Sequence, residues 1–234
     1  MRVGGGRKKC PTPTLPVSRS AALKVLGCDP SLTNFGWAVH DDEAVGPERC
    51  VSRGRIQTPS QVLEIVRYRT IRAALRALIQ EHQPDRISIE YPVFNSLYSE
   101  GMYGLFLFTW EAIWSEKKDV VFFSPGQLKA HARIAINRPE TWKMMKADMV
   151  LAAQVDAGGG RWNHNEADAY WAARTGARFW RLFEGDITID DLTDTEKSQF
   201  LKIHTFQRGT KAGKSERKGL LFREDSRFFR HSEN

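Results

Sequence analysis

From residue 22 onward the chain alternates short apolar runs with turn residues. LKVLGCD, NFGWAVHD and CVSRGRIQT are three successive runs of strand length, and their succession predicts an antiparallel meander. Over residues 61–81 the period changes: Val62, Ile65, Val66, Ile71, Leu75, Leu78 and Ile79 recur mostly at spacings of three and four, which predicts an amphipathic helix. HQPDRISIEYP then turns at Gln-Pro-Asp and continues as the strand RISIE. Residues 97–117 are apolar nearly all round, with Met102, Leu105, Phe106, Phe108, Trp110 and Ile113 among them, so this helix is expected to be buried on more than one face. DVVFFSP supplies a fifth strand, and SPGQLKAHA opens a short helix with Ser124 as cap and Pro125 at its first position. TWKMMKADMVLAAQV reads as another helix, and after DAGGGRWN a last one runs from about Asn165 through ADAYWAARTGARFWRLF.

The order strand, strand, strand, helix, strand, helix, strand, then helices predicts an α/β fold. A meander continues into crossover-linked parallel strands, giving one mixed five-stranded sheet flanked by helices. Residues 22–183 read as a single domain. Residues 1–21 lack apolar periodicity and are rich in Gly, Pro, Ser and basic residues, so they are expected to be a disordered arm. Residues 184–234 read as a polar extension, acidic up to Glu196 and basic afterwards.

Charge sharpens this division. The formal net charge is +7, but residues 1–24 carry +6, residues 201–234 carry +5, and the body between them carries −4. Cationic ends around a less basic body suit a polyanionic partner, although solubility alone would also account for them. The last segment interleaves Phe206, Phe222, Phe228 and Phe229 with Lys211, Lys214, Arg217, Lys218, Arg223, Arg227 and Arg230, a pattern suited to stacking and phosphate neutralisation on DNA. A tail packed on the body would show the same pattern. Three widely spaced cysteines, Cys10, Cys28 and Cys50, give neither a disulfide framework nor a thiolate zinc site, which favours an intracellular setting. No run is apolar enough for a membrane span, so no membrane partner is expected. An acid-free amino-terminal segment leaves organellar targeting open.

Three carboxylates occupy positions that a fold would fix. Asp29 ends the first strand, Glu90 ends RISIE, and Asp168 lies in the first turns of the terminal helix. If the 61–81 helix returns RISIE alongside the first strand, Asp29 and Glu90 project from neighbouring strand ends. Adjacent carboxylates repel, and a divalent cation is the usual reason to tolerate that. Magnesium suits such a site through its preference for hard oxygen ligands, and a pair of such ions can activate water and stabilise a leaving oxygen in phosphodiester hydrolysis. The bland alternatives are a turn at Asp29-Pro30, a strand end at Glu90 and a helix-start acid at Asp168.

LGCDPSLTNFGWAV resembles the opening of RuvC-type Holliday junction resolvases, with Asp-Pro at the tip of the first strand and a Gly-containing second strand. HQPDRISIEYPVF resembles their second motif, and HNEADAYWAA resembles the third, in which Ala-Asp-Ala supplies the last aspartate. The three motifs lie in order over residues 23–180. SPGQLKAHA and KADMV are similar to a more divergent, phage-like branch. The resemblance implies an RNase H-like fold, a homodimer, and paired nicking of four-way or other branched DNA in a bacterial or phage-infected cell. It also implies two Mg2+ ions per site, with Mn2+ able to substitute.

By the same resemblance Asp29, Glu90 and Asp168 are catalytic residues and metal ligands. The family often places Asp or His three residues before the final Asp, and here that position holds Asn165, which could serve as a ligand or as a helix cap. His164 and Glu166 are comparable candidates for the missing ligand. Lys143 or Lys146, depending on the register of the comparison, takes the place of a basic residue that meets the scissile phosphate, and Lys143 is taken as catalytic. Lys129 and Lys146 are assigned to the DNA backbone together with Arg217 and Lys218. Phe94 lies near an aromatic that stacks at the junction. Two other classes compete: an actin-like ATPase, whose glycine-rich phosphate loop DPSLTN lacks, and a DNA-binding module that keeps the fold without the chemistry.

Overall fold

The computed structural model describes residues 22–91 and 99–200 together with the backbone of 203–205 and 219–222. Strand β1 (Lys24–Asp29) pairs antiparallel with β2 (Asn34–Asp41), and β2 with β3 (Cys50–Gln57), which completes the meander. Helix α1 (Glu64–His82) then crosses over and delivers β4 (Arg86–Glu90) parallel to β1, with Cys28 opposite Ile89. Helix α2 (Ser99–Ser115) repeats the crossover and sets β5 (Val120–Phe123) parallel to β4. The remaining helices are α3 (Pro125–Ala135), α4 (Lys146–Ala157), α5 (His164–Glu184) and α6 (Asp194–Phe200).

The five expected strands form a mixed sheet flanked by helices, as the pattern predicts. Two further short strands, β6 (Ile203–Thr205) and β7 (Gly219–Phe222), extend it to the order β3-β2-β1-β4-β5-β7-β6. They arise from the segment that reads as a polar extension. Three or four residues are too few for periodicity to separate a strand from a loop.

Strand alternation divides the core in two. Leu26, Cys28, Ile87, Ile89, Val120 and Phe122 face α1 and α2, whereas Val25, Val121 and Phe123 face α3, α4 and α5. Helix α1 buries Tyr68, Ile71, Leu75 and Ile79 and ends at Gln83, in the left-handed region just before Pro84. It starts later than its apolar pattern suggests, leaving Val62 and Leu63 ahead of it and Ile65 and Val66 exposed. Helix α2 buries Leu105, Ala112 and Ile113 but exposes Tyr103, Leu107 and Trp114 on its other side. Among the described residues the apolar segment is therefore only partly covered.

Ser124 caps α3 as expected: it accepts from the Gln127 N–H at 3.4 Å while its own N–H donates to the Gln127 side chain at 2.8 Å. Helix α4 begins at Lys146, five residues later than its apolar pattern suggests. There the Asp148 carboxylate accepts the Met145 N–H at 2.8 Å and so defines the helix start, which puts Trp142 and Lys143 outside it. No described helix is long and apolar enough to cross a membrane.

Candidate active site

Asp29 and Glu90 are the last residues of β1 and β4, parallel neighbours in the middle of the sheet. Cys28 and Ile89 before them point into the α1/α2 core, so the two-residue period turns both carboxylates to the opposite face, where α5 lies. Asp168 comes from the first turns of α5.

What lets α5 approach is a set of glycines. A Cβ on Gly27 of β1 would collide with the Ala169 carbonyl oxygen, and one on Gly36 of β2 with the Asn165 carbonyl oxygen. From the other side, a Cβ on Gly176 of α5 would collide with the Ser88 hydroxyl of β4. Asn165, Ala169, Ala173 and Gly176 follow helical spacing, so α5 lies flush on β2, β1 and β4 along one stripe of small residues. Gly36 is the register partner of Asp29, which places the contact at the start of α5 beside that carboxylate.

The three carboxyl groups are half-buried and sense one another. Burial, followed by the charges of Glu90 and Asp168, holds Asp29 well above the usual carboxylate range, with Lys146 pulling the other way. Burial and then the Asp168 charge push Glu90 up to about 7, and burial pushes Asp168 up to about 6. Lys129 and Lys146 oppose both shifts. The described groups thus form an anionic cluster short of positive charge, flanked by two lysines.

A divalent cation would relieve this repulsion, and an all-oxygen donor set suits magnesium. Among the described residues no three His, Cys, Asp or Glu side chains form a preformed metal cage.

The candidates for a fourth ligand separate. Asn163, not Asn165, caps α5, accepting from the Asn165 N–H at 2.9 Å. Asn165 is buried and its side-chain amide donates to the Asn34 carbonyl oxygen of β2, tying helix to sheet. Glu166 accepts from the Asn163 N–H at 3.3 Å and meets Arg53 and Arg55 of β3 at 3.5 Å each, on the side of α5 toward the sheet edge. His164 stands near Lys146: burial, then the Lys146 and Arg55 charges, lower its pKa. Of the three, His164 shares a lysine neighbour with the carboxylates.

The lysines separate as well. All three lysines are exposed, but Lys129 on α3 and Lys146 at the first position of α4 bear on the carboxylates, and Lys143 lies in the segment before α4. Phe94, Arg217, Lys218 and the 1–21 arm lie outside the described residues. Sequence reading passed over Gly27, Gly176 and the Arg53/Arg55 pair. The available signal was a glycine in the middle of an apolar strand, which marks close backbone approach.

Residues 25–135 match the family model for crossover junction endodeoxyribonuclease RuvC. In sequence the chain is similar to crossover junction endodeoxyribonucleases RuvC from Syntrophomonas wolfei, 34% identical over 73 residues, and from Brevibacillus brevis, 33% identical over 73 residues. These alignments take in 31% of this chain and 42% and 43% of the relatives, so the chain spans less than half the length of the curated relatives it matches. In structure it is similar to Thermus thermophilus RuvC, with a TM-score of 0.56 at 20% identity over 69% of this chain and 97% of that one. Over residues 25–135 the chain is similar to RuvC, and it shares that protein's fold. The same bacterium's RuvC in complex with Holliday junction substrate superimposes with a TM-score of 0.56, covering 68% of this chain. The RuvC-type match includes Asp29, Glu90 and Lys129 and ends before α4 and α5. Asp168 therefore rests on the fold and on its proximity to the other two carboxylates.

Charge neutralisation offers a test of the lysine assignment. In a nuclease assay, Lys129→Gln and Lys146→Gln are each expected to move the acid limb of the pH-rate profile to higher pH, because each lysine now favours the ionised carboxylates. Lys143→Gln is expected to leave that limb in place. A shift with Lys143→Gln alone would reverse the assignment.

Proposed function

We propose that this protein is a metal-dependent endonuclease that resolves four-way or other branched DNA junctions. The observation that carries the reading is the convergence of Asp29, Glu90 and Asp168 from two parallel strand ends and a flush-packed helix, with raised carboxyl pKa values and Lys129 and Lys146 beside them. Such a cluster is poorly suited to a purely structural role, because the three groups oppose one another's ionisation.

In this reading Asp29, Glu90 and Asp168 hold magnesium, with His164 at the rim and manganese able to substitute. A bound ion would supply Lewis-acid chemistry to the attacking water and the leaving oxygen of the phosphodiester. The protein's own part is positional. The ends of β1 and β4 fix two carboxylates on a rigid sheet, α5 brings the third, and Lys129 and Lys146 attract and orient the scissile phosphate. The exposed Tyr103, Leu107 and Trp114 of α2 suit contact with a second copy, and a two-fold dimer would present two sites to a symmetric junction for paired nicks. The basic arm and extension around the nuclease domain add sequence-independent affinity, and such a substrate places the enzyme inside the cell.

Purified protein with magnesium is expected to cut a labelled four-way junction faster than the matched linear duplex, with nicks on opposed strands. No cleavage with magnesium or manganese would remove the enzyme reading. Equal cutting of duplex would remove the junction preference.

A further inference from the structure

A second polar feature lies beside the first turn of α5, on the side of β3. A depression of about 530 Å³ is lined by Arg55, Arg161, Trp162, Asn163 and Glu166, within the range of ligand clefts, about 300–1,000 Å³. Trp162 is buried, and the Arg53 guanidinium covers its ring at 3.6 Å from the centroid, so one wall is a stacked arginine and indole. Arg53 and Arg55 both meet Glu166, each at 3.5 Å, and Arg161 is exposed at the rim. Two arginines thus meet one carboxylate, and a third lines the same depression. At that separation Glu166 orients Arg53 and Arg55 without forming the close bidentate pair that would hold them against a stronger anion.

The position of this basic depression matters. Glu166 is two residues from Asp168 on the same helix turn, and the charges of Arg55 and Lys146 both bear on His164. Cationic groups therefore continue from Lys146, beside the carboxylates, past His164 to Arg55 and Arg161 at the sheet edge.

We propose that the depression is a second DNA-backbone site, in which Arg55 and Arg161 take a phosphate that flanks the scissile one while Glu166 restrains Arg55 when no DNA is bound. The proposal rests on the endonuclease reading above. Trp162 is occupied by Arg53, so the site takes a phosphodiester and not a stacked base. Arginine suits it, since its planar fork matches phosphate geometry.

The test is binding of a labelled four-way junction to the full chain in EDTA, between about 50 and 200 mM salt. The double variant Arg55→Gln/Arg161→Gln is expected to bind more weakly and to lower the slope of log affinity against log salt by about one. Glu166→Gln is expected to bind about two- to fivefold more tightly, the range set by removing a partly exposed competing ion pair. Gln serves as well as Glu in a capping box, and a gain of affinity cannot come from misfolding. Wild-type protein that binds and cuts junctions while the double variant keeps its affinity and slope, or while Glu166→Gln binds no tighter, overturns the subsite and leaves the endonuclease reading standing. Wild-type protein that neither binds nor cuts overturns both. Inorganic phosphate that competes with DNA at matched ionic strength against wild type, but not against the double variant, would assign the site to a free anion.

Discussion

Asp29→Asn is expected to abolish cleavage, by at least about 10³-fold, while leaving junction binding intact and raising the melting temperature of the metal-free protein. The two effects have one cause. In the folded chain burial and the Glu90 and Asp168 charges make ionisation of Asp29 unfavourable, and Glu90 and Asp168 are themselves pushed up to about 7 and about 6. An acid whose folded pKa lies above its unfolded value holds its proton more tightly in the native state. Native stability is then greatest where the group is protonated, and it declines as pH rises from the unfolded value through the folded one. For Glu90 the decline runs from the ordinary carboxylate range, about 4, up to about 7, and the raised Asp29 carboxyl acts in the same direction. An amide at position 29 removes a group whose ionisation the folded state opposes. The variant should therefore melt higher than wild type in EDTA at pH 8, each kcal/mol relieved raising the midpoint by about 2–4 °C, and the difference should shrink toward pH 4. Magnesium should reverse the ranking by stabilising wild type more than the variant. Melting curves at both pH values, with EDTA and with magnesium, check this. A variant that melts no higher than wild type in EDTA at pH 8 would show that the carboxylates do not strain the metal-free fold.

The three carboxylates were legible in the sequence because each closes a local pattern. Asp29 precedes a proline after an apolar run, Glu90 ends an alternating strand, and Asp168 follows a helix start. Parallel pairing of β1 with β4 needed only the intervening helix and the handedness of crossovers. The fourth position was not legible, since the directions of His164, Asn165 and Glu166 depend on groups distant in sequence. Gly36 and the Asn34 carbonyl draw Asn165 onto the sheet, and Arg53 and Arg55 hold Glu166 to β3. The lysine register was ambiguous for a different reason. Apolar spacing runs through TWKMMKADMV without interruption, but the Asp148 side chain captures the Met145 N–H and starts α4 at Lys146. Periodicity reports which residues face inward. It does not report where a cap overrides it.

The seat of α5 makes the second large prediction. Gly27→Ala is expected to destabilise the protein by about 3 kcal/mol or more and to remove cleavage, although the change adds one methyl group and lies two residues from Asp29. The usual cost of overpacking assumes that neighbouring side chains can rotate away. Here the added Cβ would strike the Ala169 carbonyl oxygen and the Ala173 N, backbone atoms in the middle of a long helix, so α5 must lift or shift as a body. That motion carries Asp168 away from Asp29 and Glu90, and a displacement of about 1 Å is enough to cost about 10²-fold in rate. Gly126→Ala gives the contrast: in α3 its Cβ would meet nothing nearer than the Ser124 hydroxyl at 3.9 Å. It should leave stability the same or slightly higher, since Ala is the better helix former. Urea titration of both variants, with cleavage measured at a temperature where each remains folded, separates loss of fold from loss of site geometry. If folded Gly27→Ala cuts at the wild-type rate, the flush contact of α5 on β1 is dispensable for placing Asp168.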